Sequence, residues 1–292
     1  MNTSPLAGMG SSDLAESGTL IPWKETAAQQ PGRGFALPVR SASVRFLNLF
    51  LQDAAVDLEL ASSVIALDPG LAYGTLELAN RELPDDSERI WRLPQAIVTA
   101  GRDSLQQLVA EAPRLDCWTE AAVGIRLCRL VGDGVARACV AEFLARELGI
   151  GDSRKCFLSG LLFELPRLVR WAVPARMHSP ELMLVEMCHT LPASVVRAVL
   201  AAGAEEGSSG EPAVALVLLA DAVLRGRRQP AKSVLEEVSD TTLWQPWSAM
   251  PRLQRSALLQ RSLVVASWAS KNLQRMHPWE FMARLEHRKS WE

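Results

Sequence analysis

From Leu37 onward the apolar residues recur at intervals of three and four, the period of one face of an α-helix. Over Ser43 to Leu51, Val44, Leu47 and Leu51 share a face, with Phe46 and Phe50 beside it. Asp57 precedes LELASSVIAL as a helix N-cap, ahead of the apolar positions Leu58, Ala61, Val64 and Ile65. Asp68-Pro69 opens the next helix with a capping carboxylate and a proline whose missing N–H costs nothing there. That helix reaches about Asn80, the polar stretch ELPDDSER forms a loop, and helices over 93–100 and 103–110 follow. A second block starts near Asp116, with helices over 117–131, 134–148, 153–163, 181–189, 192–203 and 212–225. Gly132 and Gly134 interrupt the register between the first two, Gly149 and Gly151 punctuate a turn, and Gly203, Gly207 and Gly210 mark a polar loop. β-branched alternation is nearly absent and no fixed-period repeat is present, so the pattern predicts an all-α chain.

The two ends differ from this body. Residues 1–34 are rich in Gly, Ser, Ala, Gln and Pro and read as a flexible leader. From Arg227 the composition changes again: 11 basic against 6 acidic side chains, with five of the nine tryptophans, Trp244, Trp247, Trp268, Trp279 and Trp291. Within this block, Pro251 to Arg275 reads as one long amphipathic helix, with Leu253, Ala257, Val264 and Trp268 near one face and Arg252, Arg255 and Arg261 as charged decoration. The expectation is that its Trp/Leu face packs on the body. Trp279 and Trp291 fall in a short basic tail with Phe281, Met282 and Leu285.

Charge and cysteine usage narrow the class. A net charge of −2 over 292 residues argues against a dedicated nucleic-acid binder. No apolar run is long enough to span a bilayer, and Met1 to Ser17 lacks the basic start and apolar block of a secretory signal. Cys117, Cys128, Cys139, Cys156 and Cys188 are odd in number and form no C-x-x-C pair. They read as reduced, mostly buried small apolar residues of a cytoplasmic protein, with no metal or disulfide role.

Certain stretches carry a resemblance. In order they are LPVRSASVRFLNLFLQD, LELASSVIALDPGLAYGTLELAN, QAIVTAGRDSLQQLV, CWTEAAVGIRLCRLV, CFLSGLLFELPRLV, LPASVVRAVLAAG and LVLLADAVLRG. Together, over about 37–225, they resemble the HDOD domain, the non-catalytic relative of the HD phosphohydrolases in bacterial signalling proteins. The resemblance implies a multi-helix bundle of two lobes joined near residues 111–117, where Ala112-Pro113 disfavours continuous helix. The chain then divides into a 1–34 leader, a 35–226 HDOD-like domain and a 227–292 helical extension.

The chemistry turns on what has been substituted. An HD hydrolase holds a divalent metal with an early His, an adjacent His-Asp pair and a late Asp, and the metal activates water. On the resemblance, Glu120 falls near the early His, Phe163 and Glu164 occupy the His-Asp positions, and Asp221 alone is retained. Further histidines of the family are replaced by Ala201 and Ala202, and His178, His189, His277 and His287 match no ligand position. Glu120, Glu164 and Asp221 could form an all-carboxylate Mg²⁺ or Mn²⁺ site. Against this, Phe163 projects an apolar ring at a ligand position and Pro166 replaces a glycine. A bland alternative pairs Asp221 with Arg225 at the i+4 spacing. The expectation is a regulatory module without catalytic activity, metal or cofactor, acting on a protein partner or small ligand, with homo-oligomerisation left open. Residual phosphohydrolysis and a nucleic-acid role for the basic, Trp-rich block are the alternatives. Trp244, Trp247 and Trp279 are the candidate partner-binding residues, because tryptophan and arginine are enriched at interface hot spots.

Overall fold

Asp57 and Asp68 both cap the helices they precede. Asp57 accepts from the backbone N–H groups of Glu59 and Leu60 at 3.0 and 3.1 Å, and Asp68 from those of Gly70 and Leu71 at 3.1 and 3.3 Å. The protein is seen here as a computed structural model, which describes residues 37–52, 57–84, 88–115, 121–172, 180–201, 211–227, 247 and 249–287. Its first helices are α1 (Ser41–Gln52), α2 (Leu58–Ala66), α3 (Pro69–Asn80), α4 (Leu93–Ala100) and α5 (Arg102–Glu111). A second group comprises α6 (Ala121–Leu148), α7 (Ser153–Leu162), α8 (Leu165–Ala172), α9 (Pro180–His189), α10 (Ala193–Ala201) and α11 (Pro212–Gly226). Then come α12 (Arg252–Asn272) and α13 (Pro278–His287). Among the described residues there is no β-strand, and no helix is long and apolar enough to cross a membrane.

Helices α1–α5 pack mainly on one another, and α6–α11 form a second lobe around α6 and α7; α3 touches both α6 and α7. The start of the first lobe is tied down by an isolated parallel bridge between Val39 and Arg114, with Val39 donating to the Pro113 carbonyl at 2.8 Å and accepting from Leu115 at 2.9 Å. Asp68 closes the same corner. Its fully buried carboxylate accepts the Arg40 backbone N–H at 2.8 Å and lies 3.9 Å from the Arg40 guanidinium. Burial pushes this carboxyl above the usual carboxylate range, opposed by Arg40 and by the backbone donors. Between the lobes, the buried Asn80 amide donates to the carbonyls of both Ile90 and Thr190 at 2.9 Å and accepts from the Ile90 N–H at 2.7 Å. Lys155 and Arg92 each sit about 5 Å from the Trp91 ring centroid, so Lys155 at the start of α7 meets the loop before α4.

Three expectations require correction. The glycines at 132 and 134 do not split a helix: α6 runs unbroken from 121 to 148. A Cβ at Gly134 would stand 3.1 Å from the Leu161 carbonyl, and one at Gly160 would stand 2.9 Å from the Ala138 Cα. The small residues at 134 and 160 serve the close approach of α6 and α7, with Gly turned to packing rather than to punctuation. Helix α8 went unpredicted; Pro166 lies in its first turn, where proline costs no hydrogen bond.

The third correction concerns α12. Its buried face consists of Leu258, Leu259, Ser262, Val265, Ala266 and Ala269, against α6 and α11. Leu253, Ala257 and Val264 point outward instead, and Trp268 is half-buried with its ring 4.6 Å from Phe281. The tail beyond it is a helix: α13 buries Phe281, Met282 and Leu285 and packs on α2. Because α12 lies on the second lobe and α13 on the first, the C-terminal pair straps the two lobes together. Arg261 anchors α12 to α6 through Glu147 at 2.7 Å, and His277 meets the Phe46 ring edge-on at 5.5 Å.

Two glycine substitutions separate packing from punctuation. Gly160→Ala should destabilise by about 1–3 kcal/mol in urea titration, since its new methyl would meet backbone atoms of α6 that cannot rotate away. Gly132→Ala, where a Cβ meets nothing within 4 Å, should leave stability unchanged or raise it by about 0.5–1 kcal/mol. Phe281→Ala, by removing a fully buried aromatic ring of the strap, should cost about 3–5 kcal/mol in the same assay.

Candidate functional site

Every residue around Arg137 on α6 is small and apolar: Val135, Ala136, Ala138, Cys139, Val140 and Ala141 are all buried. An arginine in such a run must find buried partners, because an unpaired charge in an apolar interior is prohibitively costly. Arg137 finds two. Its Nη2 donates to Glu164 Oε1 at 2.6 Å and to Asp221 Oδ1 at 2.7 Å, and its Nε donates to the same Asp221 oxygen at 3.0 Å. The guanidinium carbon lies 4.7 Å from the centre of the Phe163 ring, a cation–π contact that covers its face. Arg137 Nη1 is buried with no hydrogen-bond acceptor among the described residues.

Local structure brings these groups together. Phe163 and Glu164 form the turn between α7 and α8, and the Glu164 carbonyl accepts from Leu168 to start α8. Gly160, one turn earlier, lets α7 approach the α6 backbone at Arg137 and Ala138, which sets that turn beside the guanidinium. Asp221 arrives from the middle of α11, which packs against both α6 and α7. Two further arginines close the outer side. Arg167 reaches Glu164 Oε2 at 3.2 Å, and Arg225 reaches Asp221 Oδ2 at 3.2 Å, the i+4 pairing anticipated from sequence. Their side chains are 67% and 61% exposed, against 3% for Arg137, so the buried pairing carries the energetic weight.

The structure brings Phe163, Glu164 and Asp221 together around one guanidinium. It adds Arg137, which sequence reasoning missed although a lone arginine in a buried Val/Ala/Cys run was the available signal. Glu120, Ala202, His178 and Trp244 lie outside the described residues, as do the side chains of Trp279 and His287. Ala201 ends α10, His189 is exposed at the end of α9, and His277 precedes α13. Among the described residues no three His, Cys, Asp or Glu side chains gather as a metal-holding group. The carboxylate pair itself does not fit a metal: its inner oxygens already accept from one guanidinium nitrogen, and a second cation there would face Arg137 at bonding distance.

Trp247 differs from the expectation for an interface residue. Its ring is 3% exposed and belongs to the main hydrophobic core, with an indole N–H that has no acceptor among the described residues. An apolar ring outweighs its one polar atom, so burial prevails. Cys139 and Cys156 are buried, Cys188 is half-buried, and Cys128 is exposed. Burial pushes the Cys156 thiol up to about 12, which leaves it an inert packing group.

The family described as HDOD domain matches residues 37–202. The fold is similar to that of the MmoQ response regulator from Methylococcus capsulatus str. Bath. Its fragment 20–298 shares 16% identity, with 84% of this chain and 96% of that one covered and a TM-score of 0.48. A second structure of that regulator shares 16% identity over 86% and 98% of the two chains, with a TM-score of 0.42. No curated protein matches this chain.

The buried cluster makes a graded prediction for unfolding experiments. Arg137→Met strands two carboxylates and should cost about 3–5 kcal/mol, whereas Arg225→Ala should cost at most about 1 kcal/mol. Combining Arg137→Met with Glu164→Gln and Asp221→Asn should recover much of the loss, because no charge is then left buried alone.

Proposed function

This chain belongs to the HDOD family, and from that premise we propose that it is a regulatory module of signal transduction that works by binding and turns over no substrate. The observation that carries this reading is the position of Arg137. In metal-dependent phosphoester hydrolysis the carboxylates must turn lone pairs to a divalent ion, which polarises the phosphoryl oxygen and lowers the pKa of its bound water. Here the converging oxygens of Glu164 and Asp221 are hydrogen-bonded to a fixed, permanently charged side chain. A guanidinium neutralises the pair but has no vacant coordination position for water. Phe163 fills the adjoining position with an apolar ring packed on that guanidinium. The cluster thus supports cohesion between α6, α11 and the α7–α8 turn, and leaves recognition to the surface.

The partner class that fits is a regulatory protein or a small signalling ligand, which bind without requiring a reactive centre. Purified full-length protein supplied with Mn²⁺, Mg²⁺ or Fe²⁺ should hydrolyse neither nucleotides nor cyclic dinucleotides above background. Affinity capture from the source cell should recover a defined partner at near-stoichiometric yield. Metal-dependent turnover that vanishes in Glu164→Ala and Asp221→Ala would overturn the reading and restore a carboxylate-centred hydrolase.

A further inference from the structure

Among the described residues, half of the large apolar side chains that face solvent do so singly, one to a helix: Leu49 on α1, Val98 on α4, Ile125 on α6 and Leu200 on α10. Isolated exposure of that kind is ordinary. Two helices differ. On α9, Leu182 and Val185 are 65% and 57% exposed, while Met183 and Met187 turn into the core. On α12, Leu253 and Val264 are 87% and 54% exposed and fall in line with exposed Ala257 and Gln260, at the i, i+4, i+7, i+11 spacing of a single helix stripe. That stripe is about 16 Å long, three turns of helix.

The charges bordering the two stripes are opposite. The exposed side of α9 carries Glu181 and Glu186. Helix α12 contains no acidic residue in its 21 positions, and Arg252 and Lys271 are exposed on it. Pairing α12 with another α12 would bring cations together, and pairing α9 with another α9 would bring glutamates together. Only the cross-pairing matches apolar surface with apolar surface and acid with base. One chain carries both halves of this match, which is what self-association requires.

We propose that copies of this chain pair with one another, the apolar–acidic face of α9 in one copy seated on the apolar–basic face of α12 in the other. A stable dimer buries about 1,200 Å² or more, beyond a single short helix–helix contact. The pairing is therefore reciprocal, with two equal contacts related by a twofold axis. This goes beyond the regulatory reading and does not depend on it, because it is measured with no other partner present.

Sedimentation of the full chain across a range of concentrations tests it. The unaltered protein should show a concentration-dependent dimer. Leu253→Glu places an acid opposite the acidic face, and Leu182→Lys places a base opposite the basic one; each should weaken dimerisation at least about tenfold. An equimolar mixture of the two variants should dimerise again, since each mixed pair joins one unaltered contact to one Glu–Lys contact. Circular dichroism checks that both variants are folded, and the same exchange at Val264 and Val185 repeats the test. A protein that stays monomeric throughout, a dimer indifferent to both substitutions, or a mixture no better than its components would overturn the pairing. So would a monomer whose α12 stripe captures an acidic peptide or a nucleic acid duplex, which would assign the face to a foreign partner.

Discussion

One guanidinium holds three segments of the second lobe that are far apart in sequence. Arg137 comes from the middle of α6, Glu164 from the turn 27 residues later, and Asp221 from α11, 84 residues away from the arginine. Burying such a group is costly, since charges removed from water recover their solvation only through well-formed hydrogen bonds. Here that recovery comes from Nη2 and Nε, with the Phe163 ring covering the guanidinium face, while Nη1 has no acceptor among the described residues. The arrangement tolerates no drift, because any helix that shifted would leave its carboxylate buried without a partner. Gly160 is part of the same constraint: a side chain there would push α7 away from α6 and lengthen the 2.6 Å bond to Glu164.

The coupling between lobes is of a different kind. Among the described residues, the lobes meet through the Lys155–Trp91 contact, through a buried amide and through apolar packing. Asn80 satisfies two backbone carbonyls and one N–H from a single buried amide, one of them 110 residues away at Thr190. No other neutral side chain of that size offers both donors and an acceptor in one plane. The α12–α13 strap adds apolar area on both lobes, through Val265 and Ala269 on one side and Phe281 and Leu285 on the other. Polar specificity at Asn80 and apolar area in the strap are complementary: the first sets where the lobes meet and the second makes the meeting stable.

Much of this was legible in the chain. Asp57 and Asp68 announced their helices because capping is local: the carboxylate and the N–H groups it accepts lie within three residues. The all-α class followed from a period that persists over nearly the whole body. The failures share a physical cause, which is dependence on partners distant in sequence. Gly134 looks like a breaker unless the facing helix is known, since the same missing Cβ that loosens an isolated helix permits close packing in a pair. Phe163, Glu164 and Asp221 could be placed by resemblance; for their cation, the Val/Ala/Cys run around Arg137 signals burial, but only the folded chain shows which carboxylates it meets. Helix α12 shows the same limit in another form. Its apolar residues occupy two sides, and only the bodies of α6 and α11 decide that Leu258 and Val265 turn inward while Leu253 and Val264 do not.

The tryptophan and arginine content of the C-terminal block is a further case, and it bears on how the molecule can act. Large rings and guanidinium groups are favoured at interfaces because they bury much area and still reach a polar partner. The same properties suit them to the seam between two lobes of one chain. Trp247 is buried in the core, Trp268 stacks near Phe281, and Arg261 lies over Phe143 while pairing with Glu147. Composition cannot separate an external interface from an internal one; burial can. Among the described residues, Trp247, Trp268 and Arg261 are committed to contacts within the chain, and Arg137 occupies the carboxylates of Glu164 and Asp221. The large apolar side chains that stay exposed lie on outer helix faces instead, among them Leu182 and Val185 on α9 and Leu253 and Val264 on α12.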